Sequence, residues 1–145
     1  MQKNTISKQE TIDLGQNIAA KLKGGDIVLL HGDLGSGKTT LTKGIAKYFG
    51  IEEVVSPTFT LMQAYHLSTS AHKHISMLVH IDTYRLEDEY QLVEIGVEDY
   101  LGDKNTVCVV EWPEKMGGLL RNKKTINITI EPFENNGRRI KIEDY

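Results

Sequence analysis

The segment Gly32-Asp-Leu-Gly-Ser-Gly-Lys-Thr39 constrains this chain more tightly than any other. It follows a continuous apolar run, Ile27-Val-Leu-Leu30, which suits a strand covered on both faces. It opens a stretch in which Leu41, Ile45 and Phe49 form an apolar stripe before Gly50. Strand, glycine-rich loop and helix in that order make a unit that turns backbone N–H groups toward a phosphate. The glycines let the backbone curl into an anion nest. Lys38 supplies a point charge to the β- and γ-phosphates, and Thr39 a hydroxyl for Mg²⁺. A chance glycine turn would satisfy the short pattern, but not its placement between a buried strand and a helix.

Such a site needs carboxylates at the ends of adjacent strands. Asp82 ends Leu78-Val-His-Ile-Asp82, and Glu111 ends Val107-Cys-Val-Val-Glu111. An acid directly after an apolar run sits at the sheet edge where α/β proteins bind ligands. Asp82 is assigned to the metal shell through water. Glu111 either joins that shell or orients the attacking water. Lys38, Asp82 and Glu111 are therefore the candidate catalytic residues, and Thr39, Asp82 and Glu111 the candidate metal residues. Thr58 reads as a switch residue able to sense the γ-phosphate or the metal, or as a strand start.

The rest of the chain reads as one α/β domain over residues 1–145. Ser7-Lys-Gln-Glu10 is a capping box for a first helix carrying Ile12, Leu14, Ile18, Ala19 and Leu22, stopped by Gly24-Gly25. Residues 54–67 and 75–81 look extended and pair as a hairpin around the polar turn 68–73. The stretch 86–101 looks helical through Leu92, Val93, Ile95 and Leu101, with Gly96 costing about 1 kcal/mol relative to alanine. Ile126, Ile128 and Ile130 alternate, as do Ile140 and Ile142, with Asn136-Gly137 as the hairpin turn between them. The expected fold is a P-loop NTPase-like sandwich, a mixed central sheet flanked by helices and antiparallel hairpins.

Net charge is −3, whereas a chain that held nucleic acid alone would usually be basic. A single cysteine, Cys108, excludes an internal disulfide and fits a reducing compartment. No run reaches the ~18 apolar residues of a membrane span, so a cytoplasmic location without membrane contact is expected. Cys108 reads as a buried small hydrophobe, His72 and His74 as exposed loop residues, and His80 as a strand-face residue. Trp112 stacks near a nucleotide, anchors a partner or packs over the sheet. Arg138-Arg139 belong to a solvated edge strand, or touch nucleotide, partner or RNA.

Gly32-Asp-Leu-Gly-Ser-Gly-Lys-Thr-Thr40, Ser56-Pro-Thr-Phe-Thr60, His80-Ile-Asp82-Thr-Tyr84-Arg85 and Val110-Glu111-Trp112-Pro113 occur in that order. Together they resemble the TsaE (YjeE) family, bacterial ATPases of tRNA threonylcarbamoyladenosine modification. The likeness covers nearly the whole chain, although the 68–73 turn is somewhat extended. It implies that ATP and Mg²⁺ bind at Leu34, Gly35, Ser36, Gly37, Lys38, Thr39 and Thr40. It places Glu111 near the metal, Trp112 beside the nucleotide, and Glu114 and Arg138 near it. It implies TsaD and TsaB as partners, with tRNA reached only through that complex and ATP hydrolysis resetting it. No arginine finger is assignable within the chain, so turnover is expected to be slow alone and faster with partners. Three rivals remain. A GTPase would carry Asn-Lys-x-Asp, of which Asn122-Lys-Lys-Thr125 has only the first half. A small-molecule kinase would carry a lid. A nucleotide-gated binding module without meaningful hydrolysis would need the same cradle.

Overall fold

A computed structural model describes residues 1–68, 72 and 74–143. Its strands are β1 (Gln2–Thr5), β2 (Ile27–His31), β3 (Met62–His66), β4 (Met77–Asp82), β5 (Thr106–Glu111), β6 (Ile126–Phe133) and β7 (Gly137–Glu143). Its helices are α1 (Lys8–Ala19), α2 (Lys38–Tyr48) and the short α3 (Tyr90–Glu94). The seven strands form one sheet in the order β1-β7-β6-β2-β5-β4-β3. The central four, β6, β2, β5 and β4, pair in parallel, and antiparallel pairs extend the sheet on both sides.

The apolar runs at β2 and β5 occupy the middle of the sheet because both their faces are covered. Val28, Leu30, Val107 and Val109 pack with α1 and α2, while Ile27, Leu29, Cys108 and Val110 pack with Leu92, Val97, Leu101 and Met116. Each fully buried aliphatic side chain of this kind contributes roughly 1.5–3 kcal/mol before the entropy of ordering is subtracted. The chain leaves β2 toward β3, β4 and β5 on one side and returns to β6 on the other. Strand order reverses beside β2, and such a reversal opens a crevice at the strand ends.

Several expectations shift in detail. The Ser7 hydroxyl accepts from the Glu10 N–H at 3.1 Å, but Glu10 reaches back to the Ile6 N–H at 2.8 Å. Helix α1 ends at Ala19, before Gly24-Gly25, because Lys21 and Leu22 tighten into turn bonds with Ile18 and Ala19. The 86–101 helix is interrupted: α3 stops at Glu94, Gly96 takes φ +85°, and a 3₁₀ turn follows at Val97–Asp99. In the 54–67 segment only Met62–His66 is a strand. The β6–β7 turn centres on Asn135 and Asn136, whose φ values of +54° and +63° give the both-positive backbone of a type I′ turn. Gly137 instead begins β7, where a Cβ would meet the Thr5 carbonyl at 2.6 Å. β7 is not an edge strand, since β1 covers it. His72 is half-buried with its ring 5.2 Å from Phe49, whereas His74 is exposed. The polar turn 68–73 lies mostly outside the described residues. Among the described residues, no helix is long and apolar enough to cross a membrane.

Helices α1 and α2 cross where Gly15 meets Gly44. A Cβ on Gly15 would lie 2.6 Å from the Leu41 carbonyl oxygen and 2.9 Å from the Gly44 Cα. Gly15→Ala is therefore expected to destabilise the fold by about 1–3 kcal/mol, the cost of overpacking against rigid backbone; urea unfolding measures it. Cys108 is fully buried, and burial pushes its thiol up to about 12. The unfolded thiol ionises near pH ~8.5. The stability this group supplies is thus complete below that pH and is lost as pH rises toward the folded value. A disulfide reagent at pH ~8.5 should label Cys108 only at the rate of unfolding.

Candidate functional site

The loop after β2 is shaped by glycine. Gly35 and Gly37 take φ +76° and +111°, values that side chains resist. A Cβ on Gly32 would strike the Ser36 hydroxyl and the Ile130 carbonyl oxygen. Gly37 is the N-cap of α2 and offers no side-chain cap. The first N–H groups of α2 are therefore left for another acceptor, at the positive end of the helix dipole. The Ser36 Oγ is buried and has no partner among the described residues. An uncapped helix start beside an unsatisfied hydroxyl is a fit for an anion with several oxygens.

Lys38 is buried at the start of α2. Its Nζ donates to the carbonyls of Gly32 and, at 3.0 Å, Asp33, and it sits 3.8 Å from the centre of the Trp112 ring. Burial holds its pKa below the usual lysine value despite the opposing carboxylates of Glu111, Glu114, Asp82 and Asp33.

The two acids arrive together because β4 and β5 are parallel and in register, with Asp82 opposite Glu111. Both are buried. Glu111 Oε1 accepts from the Thr39 hydroxyl at 3.2 Å. Asp82 Oδ1 accepts from the Tyr84 N–H at 2.9 Å, and Oδ2 from the Thr58 hydroxyl at 3.3 Å. Thr39, Asp82 and Glu111 are hard oxygen donors of the kind Mg²⁺ takes. Among the described residues there is no cage of three or more His, Cys, Asp or Glu side chains. Mg²⁺ commonly binds through one or two carboxylates plus phosphate oxygens and water, so this donor set fits it.

These residues line a cleft of about 480 Å³ that also takes in Leu34, Thr40, Trp112 and Arg138. Arg138 reaches from β7 to the Gly35 carbonyl at 3.2 Å. Glu114 is not among the lining residues; its carboxylate lies 3.4 Å from His31 Nδ1. Asn122-Lys-Lys-Thr125 does not line the cleft either. Trp112 holds φ +61°, rare for a large side chain, with its carbonyl accepting from the buried Thr83 hydroxyl.

Three contributions escaped the sequence reading. His80 is fully buried against Glu111. Thr83 fixes the Trp112 backbone. Thr5, Ser7, Lys8 and Thr11 also line the cleft. The spacing of His80 two residues before Asp82, on the same strand face, was the available signal for the first. The others depend on contacts between distant segments.

The family model described as threonylcarbamoyl adenosine biosynthesis protein TsaE matches residues 5–140. This chain belongs to the TsaE family. Among relatives named tRNA threonylcarbamoyladenosine biosynthesis protein TsaE, that of Bacillus subtilis is 41% identical over 109 residues. The match takes in 74% of this chain and 63% of that protein, under two thirds of its length. That of Rickettsia conorii is 38% identical over 134 residues, 91% of this chain and 71% of that protein. That of Treponema pallidum is 34% identical over 94% of this chain and 95% of its own length. The crystal structure of YdiB from Bacillus subtilis superposes with a TM-score of 0.77 at 31% identity, covering 98% of this chain and 83% of that one. The TsaE resemblance and the α/β fold with a mixed sheet are thereby both borne out.

Trp112 is the single tryptophan of this TsaE-family chain, and the Lys38 ammonium lies against its ring. A triphosphate that draws Lys38 away should change the intrinsic fluorescence on adding ATP. Lys38→Ala should alter the starting emission and abolish the ATP-dependent change.

Proposed function

We propose that this TsaE-family chain is a Mg²⁺-dependent ATPase serving threonylcarbamoyladenosine modification of tRNA, acting with TsaB and TsaD and reaching tRNA through them. One observation carries the reading: the uncapped start of α2, the Lys38 ammonium and the paired carboxylates Asp82 and Glu111 converge on a single cleft. The family description and the names of the relatives support the pathway.

In this reading the N–H groups from Leu34 to Thr40 cradle the phosphates. Lys38 leaves the loop carbonyls and the Trp112 ring to meet the β- and γ-phosphates. Thr39 and Glu111, already hydrogen-bonded, form the pair that would hold Mg²⁺, with Asp82 alongside. When bound, the metal neutralises charge on the phosphate oxygens. Glu111 or Asp82, the latter tied to Thr58, aligns water for attack. Arg138 and Trp112 flank the nucleotide. Positioning and fixed charge supply most of the catalysis in such sites.

Titration of ATP with Mg²⁺ tests the binding half. Lys38→Ala should weaken affinity at least about tenfold, matching the ~1.5–3 kcal/mol of a charge-assisted hydrogen bond. Hydrolysis and tRNA modification by the assembly reconstituted with TsaB and TsaD test the other half. Asp82→Ala and Glu111→Ala should each lower hydrolysis by about 10²-fold or more, the usual weight of a positioned acid or base. Hydrolysis unaffected by either substitution would remove the catalytic assignment. Tight binding with no turnover in the assembly would leave a nucleotide-gated binding module, and equal competition by GTP would remove the preference for ATP.

A further inference from the structure

Strand β4 places Leu78, His80 and Asp82 on one face, because side chains alternate along a strand. That face packs with α1 and α2, as Leu78 does. In the parallel register with β5, His80 lies opposite Val109 and Asp82 opposite Glu111. His80 is thus one pleat beneath the two acids. Its imidazole is fully buried, and Nε2 lies 2.5 Å from Glu111 Oε2. The other oxygen, Oε1, faces the Thr39 hydroxyl. The carboxylate is therefore gripped at two points, one on β4 and one on α2.

The neighbouring core positions on this face are filled by aliphatics: Leu78, Val107 and Val109. A site that needed only volume would take another. The imidazole instead carries a buried Nδ1 with no partner among the described residues. A buried polar atom left unsatisfied is costly and calls for a reason. The reason lies at the other ring nitrogen, where an N–H donates to a buried carboxylate, among the stronger hydrogen bonds available to a protein.

We infer that His80 is a positioning residue for the hydrolytic site, fixing Glu111 through Oε2 so that Oε1 stays beside Thr39. The inference rests on the Mg²⁺-dependent ATPase reading. Groups that orient a metal-binding carboxylate from behind govern metal affinity and rate without touching the substrate.

Two substitutions separate this role from plain packing. In His80→Gln the amide nitrogen reaches about as far as Nε2, and in His80→Asn it stops near the place of Nδ1. Both are polar, uncharged and close in size. Calorimetry gives the ratio of ATP affinity with Mg²⁺ to that with a chelator, and the TsaB–TsaD assembly gives kcat and KM. Glutamine should stay within about threefold of wild type, while asparagine loses about 10–100-fold in that ratio or in kcat, with KM and metal-free affinity unchanged. Equal behaviour of the two variants would overturn the inference, whether both keep function or both lose it together with a matching fall in Tm. A wild-type chain that binds ATP alike with and without Mg²⁺ would overturn the functional reading and this inference together. Mg²⁺-dependent wild type with indistinguishable variants would overturn this inference alone.

Discussion

The start of α2 is a helix end with nothing of its own to satisfy it. Gly37 provides no side-chain cap, and the Ser36 hydroxyl beside it is buried without a partner among the described residues. Unpaired donors at a helix terminus carry partial positive charge. Two buried carboxylates on neighbouring strands pose the opposite problem, an excess of acceptor oxygens and negative charge held out of water. Lys38 offsets part of the acids' negative charge, but its ammonium has no acceptor to give the helix N–H groups and adds to the positive charge there. Burial lowers its pKa while the surrounding acids raise it, so the ammonium is held by the field of the site it serves. The arrangement is incomplete in both directions, and under the proposed function a phosphate with a divalent cation would complete it in both.

The sheet brings these groups together with little freedom. The Asp82–Glu111 register places both acids at one level, and β2, next to β5, delivers the glycine loop to the same edge. From the far side of the sheet, β7 sends Arg138 to the Gly35 carbonyl. A single register slip in β4 or β5 would turn an acid to the opposite face and leave it buried among Val110, Ile81 and Leu92. The site and the sheet register are thus one specification.

What was legible in the sequence was local. Ile27–Leu30, the glycine pattern and the Leu41/Ile45/Phe49 stripe announce strand, loop and helix because each depends on near neighbours. Asp82 and Glu111 stood out as acids that end apolar runs. The Asn-rich turn was placed one residue late, since asparagine tolerates a left-handed backbone nearly as glycine does. Strand β1 went unread because Gln2, Lys3, Asn4 and Thr5 carry no apolar signal; its place follows from pairing with β7. Residues 86–101 keep the period of a helix, but Gly96 at φ +85° breaks it. His80 looked like a strand residue, which it is. Its bond to Glu111 spans 31 positions of sequence and is fixed only by the β4–β5 register.

The positive charge around the cleft bears on how fast such a site would turn over alone. Lys8, Lys38, Arg85 and Arg138 are the lysines and arginines that line it among the described residues. Arg138 is engaged by the Gly35 carbonyl and by its own turn. Arg85 stacks over Phe59 at 4.5 Å, and Phe59 is 81% exposed. Phe59 follows Thr58, whose hydroxyl bonds to Asp82. Moving that segment would therefore alter the aspartate's hydrogen bonding and the arginine's stacking together. An arginine delivered to a transferring phosphoryl group is worth 10³–10⁵ in rate, roughly 4–7 kcal/mol, in enzymes of this chemistry. The stack of Arg85 on an exposed aromatic is a weak anchor, since a surface cation–π contact contributes only about 0.5–1 kcal/mol. Under the ATPase reading, a contact that weak would be given up for a phosphoryl oxygen, so the Phe59 stack alone does not withhold Arg85 from the cleft it lines.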